Sequence, residues 1–143
     1  MMRIQILFLV ALTLLLAACG SQPKQAATDV ATSMEAPKPN DEWRRFPRAD
    51  IIETKVIEKE LMGKPFMPGG TLGRYKAGNT EYEMFVAQLA NADDATILVV
   101  DWKNALKDAK LVSSFGGYFG MDGDRPMFVF PKGRWIAGVA GLP

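Results

Sequence analysis

The chain contains no histidine. That removes the usual general base, the commonest metal ligand and the natural charge switch near neutral pH. Only one cysteine is present, so no intramolecular disulfide can form and there are no thiol pairs for a metal or a redox centre. Neither sign of charge is in excess: 17 basic residues face 16 acidic ones. With no basic stripe, nucleic acid is excluded as an expected partner. The one long apolar run, residues 4–16, falls short of the roughly 20 residues that cross a bilayer. Gly116-Gly117-Tyr118-Phe119-Gly120 is not a phosphate loop, because the spacing and the following Lys-Ser/Thr are missing. No catalytic motif, metal site or cofactor signature remains after these exclusions.

The amino terminus carries the clearest signal. Met1 to Arg3 form a short basic start, Ile4 to Leu16 an apolar run, and Leu16-Ala17-Ala18-Cys19 a small-residue cleavage zone ending in the lone cysteine. Charged, apolar and small regions in that order make a secretory signal. The motif resembles the lipobox of bacterial lipoproteins. The resemblance covers only about the first nineteen residues, but every position fits. It implies cleavage before Cys19, diacylglycerol on its sulfur and palmitate or a similar acyl group on its new amino terminus. One acyl chain gives marginal binding, at about 0.8 kcal/mol per buried methylene, whereas several on one residue hold a protein essentially permanently. Gly20-Ser21 stand where an aspartate would favour inner-membrane retention in enterobacterial lipoproteins. The resemblance therefore points to the outer membrane, facing the periplasm. Loss of Arg3 with the signal leaves 16 basic residues against 16 acidic ones.

Residues 20–40 lack aromatic side chains and are rich in Ala, Pro, Ser, Thr and Gln. Such a segment buries too little apolar area to offset its ordering entropy, and a disordered tether is expected. The expected organisation is a signal peptide over 1–18, the lipidated cysteine and tether over 19–40, and one small domain over 41–143.

Within that domain, Trp43 and Phe46 sit on a single helical turn that Pro47 stops. Arg44, Arg45 and Arg48 either face lipid headgroups or form a solvated patch with Asp41 and Glu42. Residues 49–62 fit a helix face and an alternating strand equally well, and both readings stay open. Thr71 to Lys76 reads as a strand, Gly78-Asn79 as a hairpin turn, and Glu81 to Leu89 as a strand apolar on both faces. Asn91 suits a helix N-cap, with Asp93 and Asp94 in the first turn where the dipole favours them. The stripe Ala95, Leu98, Val99, Trp102, Leu106 predicts a helix of about 92–107 packed on a sheet. Leu111 to Met121 reads as one glycine-rich strand, with Phe115, Gly117 and Phe119 on one face and Gly116, Tyr118 and Gly120 on the other. Asp122-Gly123-Asp124 reads as a hairpin turn, not a calcium loop, since the later ligands are missing. Strands at 126–130 and 135–139 complete the list. Leu142-Pro143 would suit a further helix in a longer natural chain.

The expected fold is α+β: an antiparallel meander of about five strands, sequential strands pairing as neighbours, with one long helix on one face. One helix cannot cover both apolar faces. The second face must meet residues around 43–62, another subunit or a ligand. The expected function is non-catalytic, a binding or structural role in the envelope. Phe115, Gly116, Gly117, Tyr118 and Phe119 form the candidate binding strand, within an aromatic surplus that includes Tyr82, Phe128, Phe130 and Trp135. Expected partners are the membrane through the anchor, an envelope protein or small apolar ligand, and a second copy through the uncovered face. The alternative is an envelope hydrolase using Ser113 or Ser114 with Lys110, or Asp122 with Asp124.

Overall fold

The computed structural model describes residues 41–142; the expected signal peptide, Cys19, the expected tether and Pro143 lie outside the described residues. Seven strands form one antiparallel sheet: β1 (Ile51–Lys59), β2 (Pro68–Ala77), β3 (Thr80–Gln88), β4 (Lys107–Val112), β5 (Gly117–Asp122), β6 (Arg125–Lys132) and β7 (Trp135–Ala140). Among the described residues one α-helix, α1 (Ala92–Ala105), joins β3 to β4. The spatial order is β1-β2-β3-β7-β6-β5-β4. The expected α+β meander of about five strands is corrected: this is a sheet-dominated fold, with seven strands and one helix laid on it.

Three local features account for the difference. Residues 51–59, open between helix and strand, form the edge strand β1, which pairs with β2 alone. Its Glu and Lys residues suit an exposed edge, where charge deters pairing with another chain. The helix stops at Ala105, short of the expected 107, and Lys107 begins the other edge strand with a bulge at which Asp108 takes φ 55°. The expected glycine-rich strand over 111–121 is broken by a turn at 113–116, so it supplies the end of β4 and the start of β5. The meander is also not sequential throughout: β7 returns to pair with β3, from Glu83 opposite Ala140 to Gln88 opposite Trp135.

The helix forms where the pattern places it. Asn91 Oδ1 accepts from the Asp94 backbone N–H at 2.8 Å, and the Asn91 amide donates to the Asp94 carboxylate at 2.9 Å. The first contact satisfies a backbone donor that a helix start leaves unpaired. Ala95, Leu98, Val99, Trp102 and Leu106 are all buried, against Phe85 and Ala87 of β3, Met127 and Val129 of β6, and Ile136 and Ala140 of β7. The β1–β2 connection packs beside the helix through Leu61, Phe66 and Met67. Trp102 is the centre of this layer. Its indole N–H donates to Met67 Sδ at 3.1 Å, Phe66 meets it edge-on at 5.4 Å and Phe85 stacks at 5.8 Å.

Residues 41–50 cover part of the opposite face. A 3-10 turn over Trp43–Arg45 is tied to the sheet by the Glu42 N–H, which donates to Thr71 Oγ1 at 2.7 Å. Phe46 then packs with Tyr75 and Val86. The Tyr75 hydroxyl donates to the Pro47 carbonyl at 3.1 Å, and its ring stacks on Tyr82 at 5.0 Å. This segment shields β2, β3 and part of β7. It leaves the β4–β5–β6 side of that face open.

Candidate binding face

Alternation along β6 separates the two sides of the sheet. Met127 and Val129 are buried under α1, so Phe128 and Phe130 emerge on the opposite, open side. Across the ladder, Phe119 lies opposite Phe128 and Val139 opposite Phe128 from the other flank. Phe115 comes from the β4–β5 turn, and its ring meets Phe128 at 5.6 Å and Phe130 at 5.7 Å. Phe128 and Phe130 stack at 5.3 Å. These rings make an aromatic cluster that nothing among the described residues covers: Phe115 is 57% exposed and Phe119 42%.

An apolar groove of about 250 Å³ runs from this cluster to the N-terminal segment, floored by Met84, Phe130, Trp135 and Ala137. Two cations stand at its edge, Arg45 and Lys132. Arg45 is held over the Trp135 ring at 4.1 Å and bonded to Glu42 at 2.7 Å. A smaller hollow at the other end of the cluster is lined by Phe119, Pro126, Phe128, Val139 and Leu142.

The structure divides the five residues of the candidate strand. Phe115 and Phe119 join one face, Phe119 by alternation along β5 and Phe115 from the turn before it. Tyr118 lies on the other, packed against the helix-side core opposite Val129. Gly116 has no strand face at all: it occupies the β4–β5 turn at φ 64° with open space around it. Gly117 is a space-keeper, since a Cβ there would meet the Val129 carbonyl and the Phe130 side chain. The glycine beneath the helix end is Gly120, against Leu106 and the β4 bulge. The spacing alone did not single out Met84, Val139, Arg45 and Lys132. The first two read as generic strand apolars, and the last two lie 87 residues apart.

The residues of the alternative hydrolase are placed differently. Ser113 and Ser114 are exposed in the β4–β5 turn, and Lys110 is exposed on the edge strand. The Asp122 carboxylate is taken by Lys64, which donates to it at 2.6 Å beside the Trp102 ring. Asp124 sits in the next turn, exposed. Among the described residues, no group of three or more Asp, Glu, Cys or His could hold a metal ion, and no helix is long and apolar enough to cross a membrane. The shifted titrations lie on the β1–β3 side. Arg74 and Lys55 hydrogen-bond to Glu53 and hold its carboxyl below the usual range, and Glu53 in turn raises Arg74. Burial, with Tyr82 adding to it, pushes the Tyr75 phenol up.

No protein family, curated protein or solved structure matches the chain.

Proposed function

We propose that this protein is a lipid-anchored lipoprotein of the bacterial envelope, held through Cys19, with a folded domain that acts without catalysis by binding through the open aromatic face of the sheet.

 The observation that carries this reading is the open-face cluster of exposed Phe115 and Phe119 with half-buried Phe128 and Phe130. Soluble monomers seldom leave a contiguous aromatic patch in water without a use for it. Support for the anchor comes from Leu16-Ala17-Ala18-Cys19 and the run before it. Support for a role without bond-making comes from the chemistry of the open face, whose lining is apolar with cations at the edge. An open, shallow surface of that kind suits recognition, because it neither excludes water nor aims an acid and a base at one point.

The anchor is tested by Cys19→Ala. The variant is expected to lose incorporation of labelled fatty acid, and mass spectrometry of the wild-type protein should find an acylated Cys19 at the mature amino terminus. Labelling that persists in the variant, or a different mature terminus, would remove the basis of the envelope reading.

A further inference from the structure

We propose that the open aromatic half of the sheet is a docking surface for an anionic phospholipid bilayer, against which the anchored domain lies. The proposal rests on the lipoprotein reading above. It adds an occupant for the face.

On β4 to β7 the open side of the sheet carries charges of one sign, whereas the helix side carries both. On β4 to β7 the register-paired charged residues of the open side are Lys107 opposite Met121, Lys110 opposite Phe119 and Lys132 opposite Trp135. All are basic. Asp122 and Arg125, paired with each other, belong to the helix side, where they meet Lys64 and Glu83. The segment laid across the open face adds Arg44, Arg45 and Arg48, of which Arg45 sits over Trp135 and Arg48 over Trp43 at 4.0 Å. Asp41, Glu42 and Asp50 of the same segment balance these three, Glu42 through its bond to Arg45, so the basic excess of this side comes from Lys107, Lys110 and Lys132. Phenylalanine and tryptophan rings within a rim of Lys and Arg match the interface of an anionic bilayer, with rings at the acyl boundary and cations at the phosphates. Each basic residue near such a surface strengthens association about fivefold. The groove repeats this arrangement on the scale of one lipid, with an apolar floor and Arg45 and Lys132 at its edge.

A second copy of the chain fits this face less well. An isologous contact would set the same basic rim against itself, and like charges brought together oppose association. The anchor favours the bilayer further. Only 21 residues separate Cys19 from Asp41, and a chain of that length reaches at most about 75 Å. The face is therefore presented to the membrane at high effective concentration, and weak contacts suffice.

The test uses the full acylated protein, with Cys19 acylation checked by mass spectrometry, reconstituted into vesicles whose acyl chains carry bromine near the headgroup. Bromine quenches tryptophan on contact. Trp43 and Trp135 belong to the open side, whereas Trp102 is buried under the helix. In vesicles of phosphatidylcholine and phosphatidylglycerol, the emission of Trp43 and Trp135 should be quenched. In phosphatidylcholine alone, or at high salt, most of that quenching should disappear. Phe115→Glu with Phe119→Glu should abolish it while the protein stays anchored. Lys110→Glu with Lys132→Glu should do the same without altering the aromatic cluster, which settles the matter if the phenylalanine variant folds poorly. An acylated, membrane-bound protein whose tryptophans are unquenched in both vesicles overturns the docking and leaves the anchor standing. Equal quenching in neutral and anionic vesicles overturns the assignment of an anionic surface. Unquenched tryptophans with Phe119-to-Phe119 crosslinking would give the face to a second copy instead. A Cys19 without acyl groups overturns both the anchor and the docking.

Discussion

At the scale of the residue, Trp102 and Tyr75 anchor the two sides of the sheet, and each gives a measurable consequence. Trp102 is fully buried among Phe66, Met67 and Phe85. Trp102→Ala should cost about 3–5 kcal/mol, a large part of a small domain's stability. Asp101→Ala, next in the chain but outside the buried stripe, should change the denaturation midpoint little. Equal midpoints for the two variants would mean that the helix contributes nothing through this ring. Tyr75 tests the other side. Its buried phenol is shifted upward, so the folded state disfavours the phenolate. The stability it contributes is complete below the ordinary tyrosine pKa of about 10 and is lost as pH rises through the higher folded value. Tyr75→Phe should cost about 0.5–1.5 kcal/mol at neutral pH, through the lost bond to Pro47. It should also flatten the alkaline fall in stability. A variant that loses stability above pH 10 as steeply as the wild type would assign that fall to other groups.

At the scale of the element, the glycine-rich stretch shows how far alternation can be trusted. Phe119 takes the open face and Tyr118 the covered one, as period-two patterning requires, whereas Phe115 reaches the open face from the turn before β5. The pattern fails at Gly116, because residues 113–116 turn the chain and break the alternation. Gly120 and Gly116 therefore have different reasons to be glycine. A Cβ at Gly120 would stand 2.9 Å from Leu106 Cβ and 2.9 Å from the Lys107 carbonyl, and Gly120→Ala should overpack the helix end by about 1–3 kcal/mol. Gly116 has room but a left-handed φ, which asparagine tolerates. Gly116→Asn should therefore unfold close to the wild-type midpoint in a urea titration. Early unfolding of Gly116→Asn, or a neutral Gly120→Ala, would reverse these roles.

At the scale of the whole molecule, sequence-local chemistry accounts for the helix and the turns. Asn91 with the aspartates after it starts α1, and the apolar stripe through Trp102 orients it. Gly78, Gly123 and Gly133, all at positive φ, close the hairpins β2–β3, β5–β6 and β6–β7. These signals act over a few residues, so they can be read from neighbours in the chain. Tertiary structure alone decided the rest. Residues 51–59 carry a pattern compatible with helix or strand, and pairing with β2 selects the strand. The return of β7 to β3 joins residues about 50 apart, a choice made by burial of Ile136 and Ala140 under α1 and not by any local preference. The open aromatic face follows from that closure. Pairing β7 with β3 sets Val139 beside Met84 and Ala137 beside Val86, while residues 41–50 cover the adjoining strands and stop short of Phe115 and Phe119. Which aromatic rings are core and which meet the surroundings is settled only when distant segments compete for one sheet surface, because burial belongs to the assembled sheet and not to any stretch of sequence.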